Sequence, residues 1–208
     1  MQKIYKILLS STIVLLGSYY VWHVNFNYRF ETISEGKVYK SALIPPQKLE
    51  GYLRGKKIKT VIDLLHPNLN DKLNPANITH VNAEDNAIKR INREYHTNIK
   101  HINIPSDQVP TEENLKKFFA VLDNPNNYPV LIHCYHGTGR AAIYSALYRI
   151  EYEKWSNENA RSKTRVIVSM PGYRSAFADG RKKGDFLMHY TARKERYTFN
   201  LKGTSNNR

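Results

Sequence analysis

Cysteine is nearly missing from this sequence. A single one, Cys134, stands among 208 residues, which rules out an intramolecular disulfide, a cysteine-based zinc cluster and any thiol relay that needs a second, resolving thiol in the same chain. Acidic residues are scarce as well: 18 Asp and Glu stand against 32 Lys and Arg, a formal charge of +14. Such a surface attracts anions, whether phosphorylated substrates, acidic lipids or nucleic acid. The imbalance is concentrated at the end of the chain, where Arg161 to Arg208 carries twelve Lys and Arg against three acids, Asp179, Asp185 and Glu195. The spacing of aromatics among these charges does not suggest a base-stacking platform, so a solvated basic face is expected and no nucleic-acid partner. Internal repeats are absent. None of the eight histidines stands at metal-ligand spacing from a carboxylate or another histidine, so no metal site is expected and His96 and His101 are read as surface residues. What is present suffices for a folded core: 41% hydrophobic and 12% aromatic residues fit one domain with appendages.

The longest charge-free run lies near the N-terminus. After Lys3 and Lys6, Ile7 to Tyr28 contains no Asp, Glu, Lys or Arg over 22 residues, enough to span about 33 Å as a helix. Tyr19, Tyr20 and Trp22 stand where an interfacial aromatic belt would lie. Leu16-Gly17-Ser18 is a poor signal-cleavage site, so residues 1–28 read as an uncleaved transmembrane anchor rather than a removed signal. Lys3 and Lys6 favour a cytoplasmic N-terminus, which places the rest of the chain in an extracytoplasmic, periplasmic space, with a secreted form as the alternative if the segment is cleaved.

Beyond the anchor the pattern alternates. Val38–Ser41 reads as an edge strand, Gln47–Arg54 as a helix ended by Gly55, and Ile58–Leu65 as a central strand. Asp63, inside that strand, is expected to serve a structural hydrogen bond. Residues 66–77 read as a loop, Asn86–His96 as a basic helix, Ile102–Ile104 as a strand and 105–110 as a loop. Thr111–Leu122 has the stripe Leu115, Phe118, Phe119, Leu122 of an amphipathic helix. Ser156–Val168 reads as a helix interrupted at Met170-Pro171-Gly172, Phe186–Tyr190 as a last short helix, and 201–208 as a flexible tail. The fold class expected is α/β, a central mostly parallel sheet flanked by helices, with sites at the C-terminal ends of its strands. Residues 29–200 form the domain.

One stretch concentrates chemistry at such an end. Val130-Leu131-Ile132 is a buried-strand run, Ala142, Ile143, Ala146, Leu147 and Ile150 recur at helical spacing as the stripe of an expected amphipathic helix, and His133-Cys134-Tyr135-His136-Gly137-Thr138-Gly139-Arg140 lies between. A cysteine at the mouth of a helix N-terminus feels the positive end of the dipole and nearby N–H groups, which stabilise a thiolate. No residue from Tyr135 to Arg140 is proline, so each offers an N–H, and Gly137 and Gly139 permit the tight turn that aims them inward. Arg140 supplies a planar fork for two oxygens of a tetrahedral anion.

That octapeptide resembles the phosphate-binding signature of the cysteine-dependent protein tyrosine phosphatase superfamily, in the form of the bacterial dual-specificity-type enzymes. Gly36-Lys37-Val38-Tyr39-Lys40-Ser41, Ile58 to Leu64, Ala146-Leu147-Tyr148-Arg149 and Trp155-Ser156 are similar to it too. The resemblance implies Cys134 as nucleophile, Arg140 and the amides of Tyr135, His136, Gly137, Thr138 and Gly139 as the phosphate cradle, His133 as a supporting residue, and neither metal nor cofactor in catalysis. It further implies Asp107, in the loop before the Thr111 helix, as the acid for the leaving oxygen. The partners implied are phosphotyrosine, phosphoserine or phosphothreonine proteins, phosphoinositides or inositol phosphates, with the membrane engaged by the N-terminal helix. Ala141 departs from the usual Ser or Thr after the arginine. It keeps open a catalytically weak, phosphate-binding pseudophosphatase, or a membrane-surface adaptor using the basic C-terminal quarter.

Overall fold

A computed structural model describes residues 2–69 and 75–193; the expected tail at 201–208 and part of the expected 66–77 loop lie outside the described residues. The chain opens with α1 (Gln2–Asn25), continues through β1 (Glu31–Ser34), β2 (Val38–Ser41), α2 (Pro46–Gly55), β3 (Thr60–Asp63), α3 (Ile78–Tyr95), β4 (Lys100–Asn103), α4 (Glu112–Leu122) and β5 (Val130–His133), and then becomes mostly helical: α5 (Arg140–Glu153), α6 (Asn157–Ser162), the short hairpin β6 (Ser169–Met170) and β7 (Tyr173–Arg174), and α7 (Lys182–Met188). The large sheet has the order β1-β2-β5-β3-β4. Only the β1–β2 pair is antiparallel; β2–β5, β5–β3 and β3–β4 are parallel.

Alternation along each strand splits the core between the two faces. Val38, Ile62, Val130 and Ile132 pack with Phe118 and Phe119 of α4 and Ile143 and Leu147 of α5. Tyr39, Val61 and Leu131 face the other way, onto Leu49 and Leu53 of α2 and Ala87, Ile88 and Ile91 of α3. Layers of helix on both faces of a mostly parallel sheet follow from these two apolar surfaces, each needing cover.

Four expectations are corrected. Val38–Ser41 is an interior strand, fully buried, because Glu31–Ser34 folds back beside it as the true edge; the turn between them uses Gly36 at φ 67°. The helix expected at 86–96 begins eight residues earlier, at Ile78. Asn77 accepts from the backbone N–H of His80, and His80 answers from its own ring to Asn77 N–H, a reciprocal cap that stabilises an early start. The helix expected at Ser156–Val168 stops at Ser162; β-branched Thr164, Val166, Ile167 and Val168 follow and lead into the β6–β7 hairpin, which turns at Pro171-Gly172. The helix after the cysteine loop is not amphipathic, since every residue from Arg140 to Tyr148 is buried and α6 and α7 pack on the side that the sheet leaves free.

α1 stands apart from this core. Ile4–Asn25 is long and apolar enough to cross a membrane, and none of that span is buried within the protein.

The docking of α7 depends on a glycine: a methyl at Gly184 would sit 2.2 Å from Ala178 O and 2.6 Å from Phe177 O. Gly184→Ala is expected to destabilise the fold by about 1–3 kcal/mol. Gly51→Ala, mid-helix in α2 with open space around it, is expected to stabilise by about 0.5–1 kcal/mol. Thermal melts of the full chain check both signs.

Candidate active site

Parallel register brings four strand ends into one row. Ser41 of β2 pairs with His133 of β5, His133 with Asp63 of β3, and Asp63 with Asn103 of β4. Asp63 ends its strand as a local clamp: Oδ1 accepts from Leu65 N–H at 2.7 Å, and Oδ2 accepts from Asn103 Nδ2 at 3.1 Å. From His133 the chain turns through residues 134–139 and enters α5 at Arg140.

The loop is held from outside by its carbonyls. Tyr135 O accepts from Leu43 N–H at 3.2 Å, His136 O from the Arg29 guanidinium at 3.0 Å, and Gly137 O from the Lys40 ammonium at 3.2 Å. In a trans peptide the C=O and the following N–H point oppositely, so the N–H groups of His136, Gly137 and Thr138 are directed to the inner side of the loop. Gly137 has φ 68°, and a methyl there would sit 2.5 Å from Ala42 N. This position requires glycine both for its backbone conformation and for its contact with the end of β2.

Inside the loop lie the two residues with the most reactive chemistry, both shielded from water. Cys134 and Arg140 are each 1% exposed. Arg140 Nη1 donates to Leu64 O at 2.8 Å and to Ser106 O at 3.1 Å, while Nε and Nη2, the parallel pair on the other edge of the fork, are buried without a hydrogen-bond partner. A buried cation with two orphaned donors is costly unless an anion meets them. The arrangement is suited to two oxygens of a tetrahedral anion.

Further positive charge surrounds Cys134. Lys40 and Arg165 both lie within electrostatic reach of it. Burial pulls the Lys40 ammonium below the usual lysine range, against Glu31, which faces it at 3.1 Å. Burial likewise lowers Arg165.

Asp107 directly follows a residue that Arg140 holds. Ser106 O is held by Arg140, and Ser106 Oγ lies 2.8 Å from the buried Tyr144 hydroxyl. The Asp107 carboxylate itself is open to solvent, 3.9 Å from His66 Nε2. Gln108 and Lys183, hydrogen-bonded to each other, cover Gly139. Ala141 is fully buried and presents only its methyl; Thr138 is half-buried and His136 exposed.

His101 corrects another expectation. Its side chain is 6% exposed rather than on the surface, because strand alternation turns it to the α3 side of the sheet, where Nε2 meets Glu84 Oε2 at 3.1 Å. His133 Nε2 lies 2.8 Å from that same oxygen. Burial disfavours charge on either ring, yet the facing carboxylates of Glu84 and Asp63 outweigh it, lifting His133 to about 9 and His101 to about 10. Burial equally opposes ionisation of Glu84, but His133 and His101 hold its carboxyl down at about 2. His133 therefore supports the loop from a charged cluster behind the sheet.

Residues 35–176 match the family described as DSP-PTPase phosphatase fused to NAD+ kinase, well over half of the chain. The chain belongs to this dual-specificity-type phosphatase family. Comparison with curated proteins yields no match. Among solved structures, this phosphatase-family chain is similar to the catalytic core of the S. cerevisiae PP-IP phosphatase SIW14, with TM-score 0.54 and 19% identity over 84% of this chain and 92% of that one. It is similar to P. aeruginosa TpbA, with TM-score 0.55 and 18% identity over 85% and 93%. It is also similar to PTPMT1 solved in complex with PI(5)P, with TM-score 0.52 and 16% identity over 84% and 98%. At these identities the likeness is one of fold.

Sequence order alone united Cys134, Arg140 and the loop of this family member. The contributions of Arg29, Lys40, Arg165, Gln108 and Lys183 were not legible, since each reaches the loop from a distant segment and none carries a local motif. Gly137→Ala is expected to weaken inorganic phosphate binding by about 100-fold, since it displaces the cradle. Gly139→Ala, whose methyl would meet first the end of the Lys183 side chain at 3.0 Å, is expected to cost less. Calorimetric titration with phosphate measures the difference.

Proposed function

We propose that the protein is a phosphomonoester hydrolase that works through a cysteinyl-phosphate on Cys134. The observation that carries this reading is the Arg140 guanidinium, buried with Nε and Nη2 unpartnered behind a loop whose amides face inward. In the first step Cys134 Sγ attacks phosphorus while the bond to the leaving oxygen breaks, and Asp107 delivers a proton to that oxygen. Arg140 and the amides from Tyr135 to Gly139 bind the three equatorial oxygens, where charge is held through the transition state. In the second step Asp107, now a carboxylate, takes a proton from water as it attacks phosphorus, and the Cys134 thiolate departs. His133 positions the loop.

Residues 29–200 are read as the catalytic unit and α1 as a membrane anchor with its N-terminus in the cytoplasm, which puts the site on the extracytoplasmic side. Arg29, four residues beyond the end of α1, donates to His136 O in the loop, so the mouth lies close to the foot of that helix. Phosphotyrosine, phosphoserine and phosphothreonine proteins, phosphoinositides and inositol phosphates all suit the cradle. The cations Arg29 and Arg165 near the loop favour substrates with more than one phosphate. A pseudophosphatase is the second reading, favoured by Ala141, which offers no hydroxyl to the departing sulfur.

Release of phosphate from an aryl phosphate by the full chain in detergent tests the proposal. Cys134→Ser is expected to reduce the rate on the order of 1,000-fold or more. Asp107→Asn is expected to cost about 100-fold on an alkyl phosphate, whose leaving group needs a proton, and far less on a nitrophenyl ester. Wild type no faster than Cys134→Ser, with phosphate still bound, would favour the pseudophosphatase.

A further inference from the structure

Large apolar side chains left in water are concentrated in one part of the chain. Outside α1 and Phe26 at its foot, the exposed ones among the described residues are Ile78, Val166, Ile167, Met170 and Tyr173. Four of them belong to the β6–β7 hairpin and the segment leading into it. Val166 is fully exposed, and Ile167, Met170 and Tyr173 are 45%, 52% and 45% exposed. Met170 and Tyr173 are cross-strand partners, so their side chains stand together on one face. The base below them is fixed: Ser175 N–H donates to Val168 O at 2.9 Å, and Val168 packs on the core.

This apolar tip stands at the edge of the sheet where the catalytic loop lies and where α1 joins. Arg165, just before the tip, is within electrostatic reach of Cys134, Arg29 and Glu31, and its guanidinium lies over the Phe177 ring. Lys183, whose ammonium lies over the same ring, reaches Gly139 of the loop. β1 runs antiparallel to β2 with Glu31 opposite Lys40, so the chain coming from α1 enters at the end where β2, β5 and β3 finish. The junction is clasped: Tyr28 O accepts from Ala42 N–H at 2.7 Å, and Phe26 O from the Tyr52 hydroxyl at 3.2 Å. Ile78 falls at this edge too, since His80, two residues on, packs its ring edge-on against Tyr135 of the loop.

We propose that the β6–β7 hairpin and the segment leading into it form a second membrane contact, laid on the headgroup layer of an anionic bilayer beside α1. Residues 161–183 carry seven Lys and Arg against one acid, Asp179, and Lys163, Arg181 and Lys182 among them are exposed. An apolar tip flanked by cations matches such a surface: the tip enters the boundary of the acyl chains, Tyr173 suits the interface, and the cations meet lipid phosphates. A second copy of the chain docked through this face would bring like charges together. The inference rests on reading α1 as a membrane anchor, which keeps a bilayer within reach of the tip. Held at two points on one edge, the domain keeps its catalytic loop toward the lipid instead of swinging on a tether.

The test uses the full chain as Cys134→Ser, so that one introduced cysteine carries the only spin label. Reconstitution is into vesicles of phosphatidylcholine, alone or mixed with phosphatidylglycerol. Val166→Cys labels the tip, and Asn98→Cys, before β4 at the opposite end of the sheet, is the reference; both positions are exposed, so neither label disturbs packing. In the mixed vesicles the Val166 label is expected to admit oxygen and exclude a water-soluble nickel chelate, while the Asn98 label stays open to the chelate. Arg181→Gln and Lys182→Gln are each expected to cut the ratio of docked to free tip about fivefold, and phosphatidylcholine alone to leave the tip more open. A Val166 label as open as the Asn98 label in mixed vesicles overturns the proposal and turns the search to an acidic protein. Protection that is equal in both lipids and indifferent to the two Gln variants overturns it as well. A label at Val14→Cys, inside α1, separates the two readings: if it lies outside the bilayer, the anchor fails and the docking with it, whereas an embedded Val14 with an open Val166 overturns the docking alone.

Discussion

A buried guanidinium that needs an anion is the constraint around which this fold is arranged. Taking a charge out of water costs several kcal/mol even after relaxation, and Arg140 meets that cost with only one edge of its fork, through Leu64 O after β3 and Ser106 O before α4. Those two bonds fasten together segments far apart in sequence and direct the remaining edge, Nε and Nη2, to an anion. The same side chain is thus a strut in the fold and a pair of buried donors suited to an anion.

The loop around it is held in a complementary way. Leu43, Arg29 and Lys40 engage the carbonyls of Tyr135, His136 and Gly137, and the amides are left for a ligand. Preorganisation of this kind means that dipoles need not reorient when charge develops on a bound group. The arrangement is supported from behind by His133, whose ring lies among Asp63, Glu84 and His101, so that the sheet's C-terminal edge carries a charged cluster on one face and the anion cradle at its rim.

Much of this was legible in the chain. The strand–loop–helix pattern from Val130 to Ile150, the alternation of elements and the row of turn residues identified an α/β domain, since each rests on neighbours within one or two turns. The misreadings have a common cause. Val38–Ser41 has the local pattern of an edge, because nothing in it announces that Glu31–Ser34 will fold over it. The helix of Ile78–Tyr95 was started late because its cap, Asn77 with His80, is formed by polar residues that also suit a loop. The stretch after Ser162 was carried on as helix although its β-branched residues fit a hairpin better.

By itself the sequence determined that Cys134, Arg140 and the glycine turn between them share one loop, because covalent continuity fixes residues 133–140 at the junction of a strand and a helix whatever surrounds them. It also determined an apolar N-terminal helix, since length and absence of charge are properties of a single segment. Only the tertiary structure decided which cations approach the loop, that Arg140 bonds the Ser106 carbonyl next to Asp107, and that His101, read as a surface residue, lies buried with Glu84. Parallel register did this: it aligns residues 41, 63, 103 and 133 across four strands, and spacing along the chain carries no trace of that alignment.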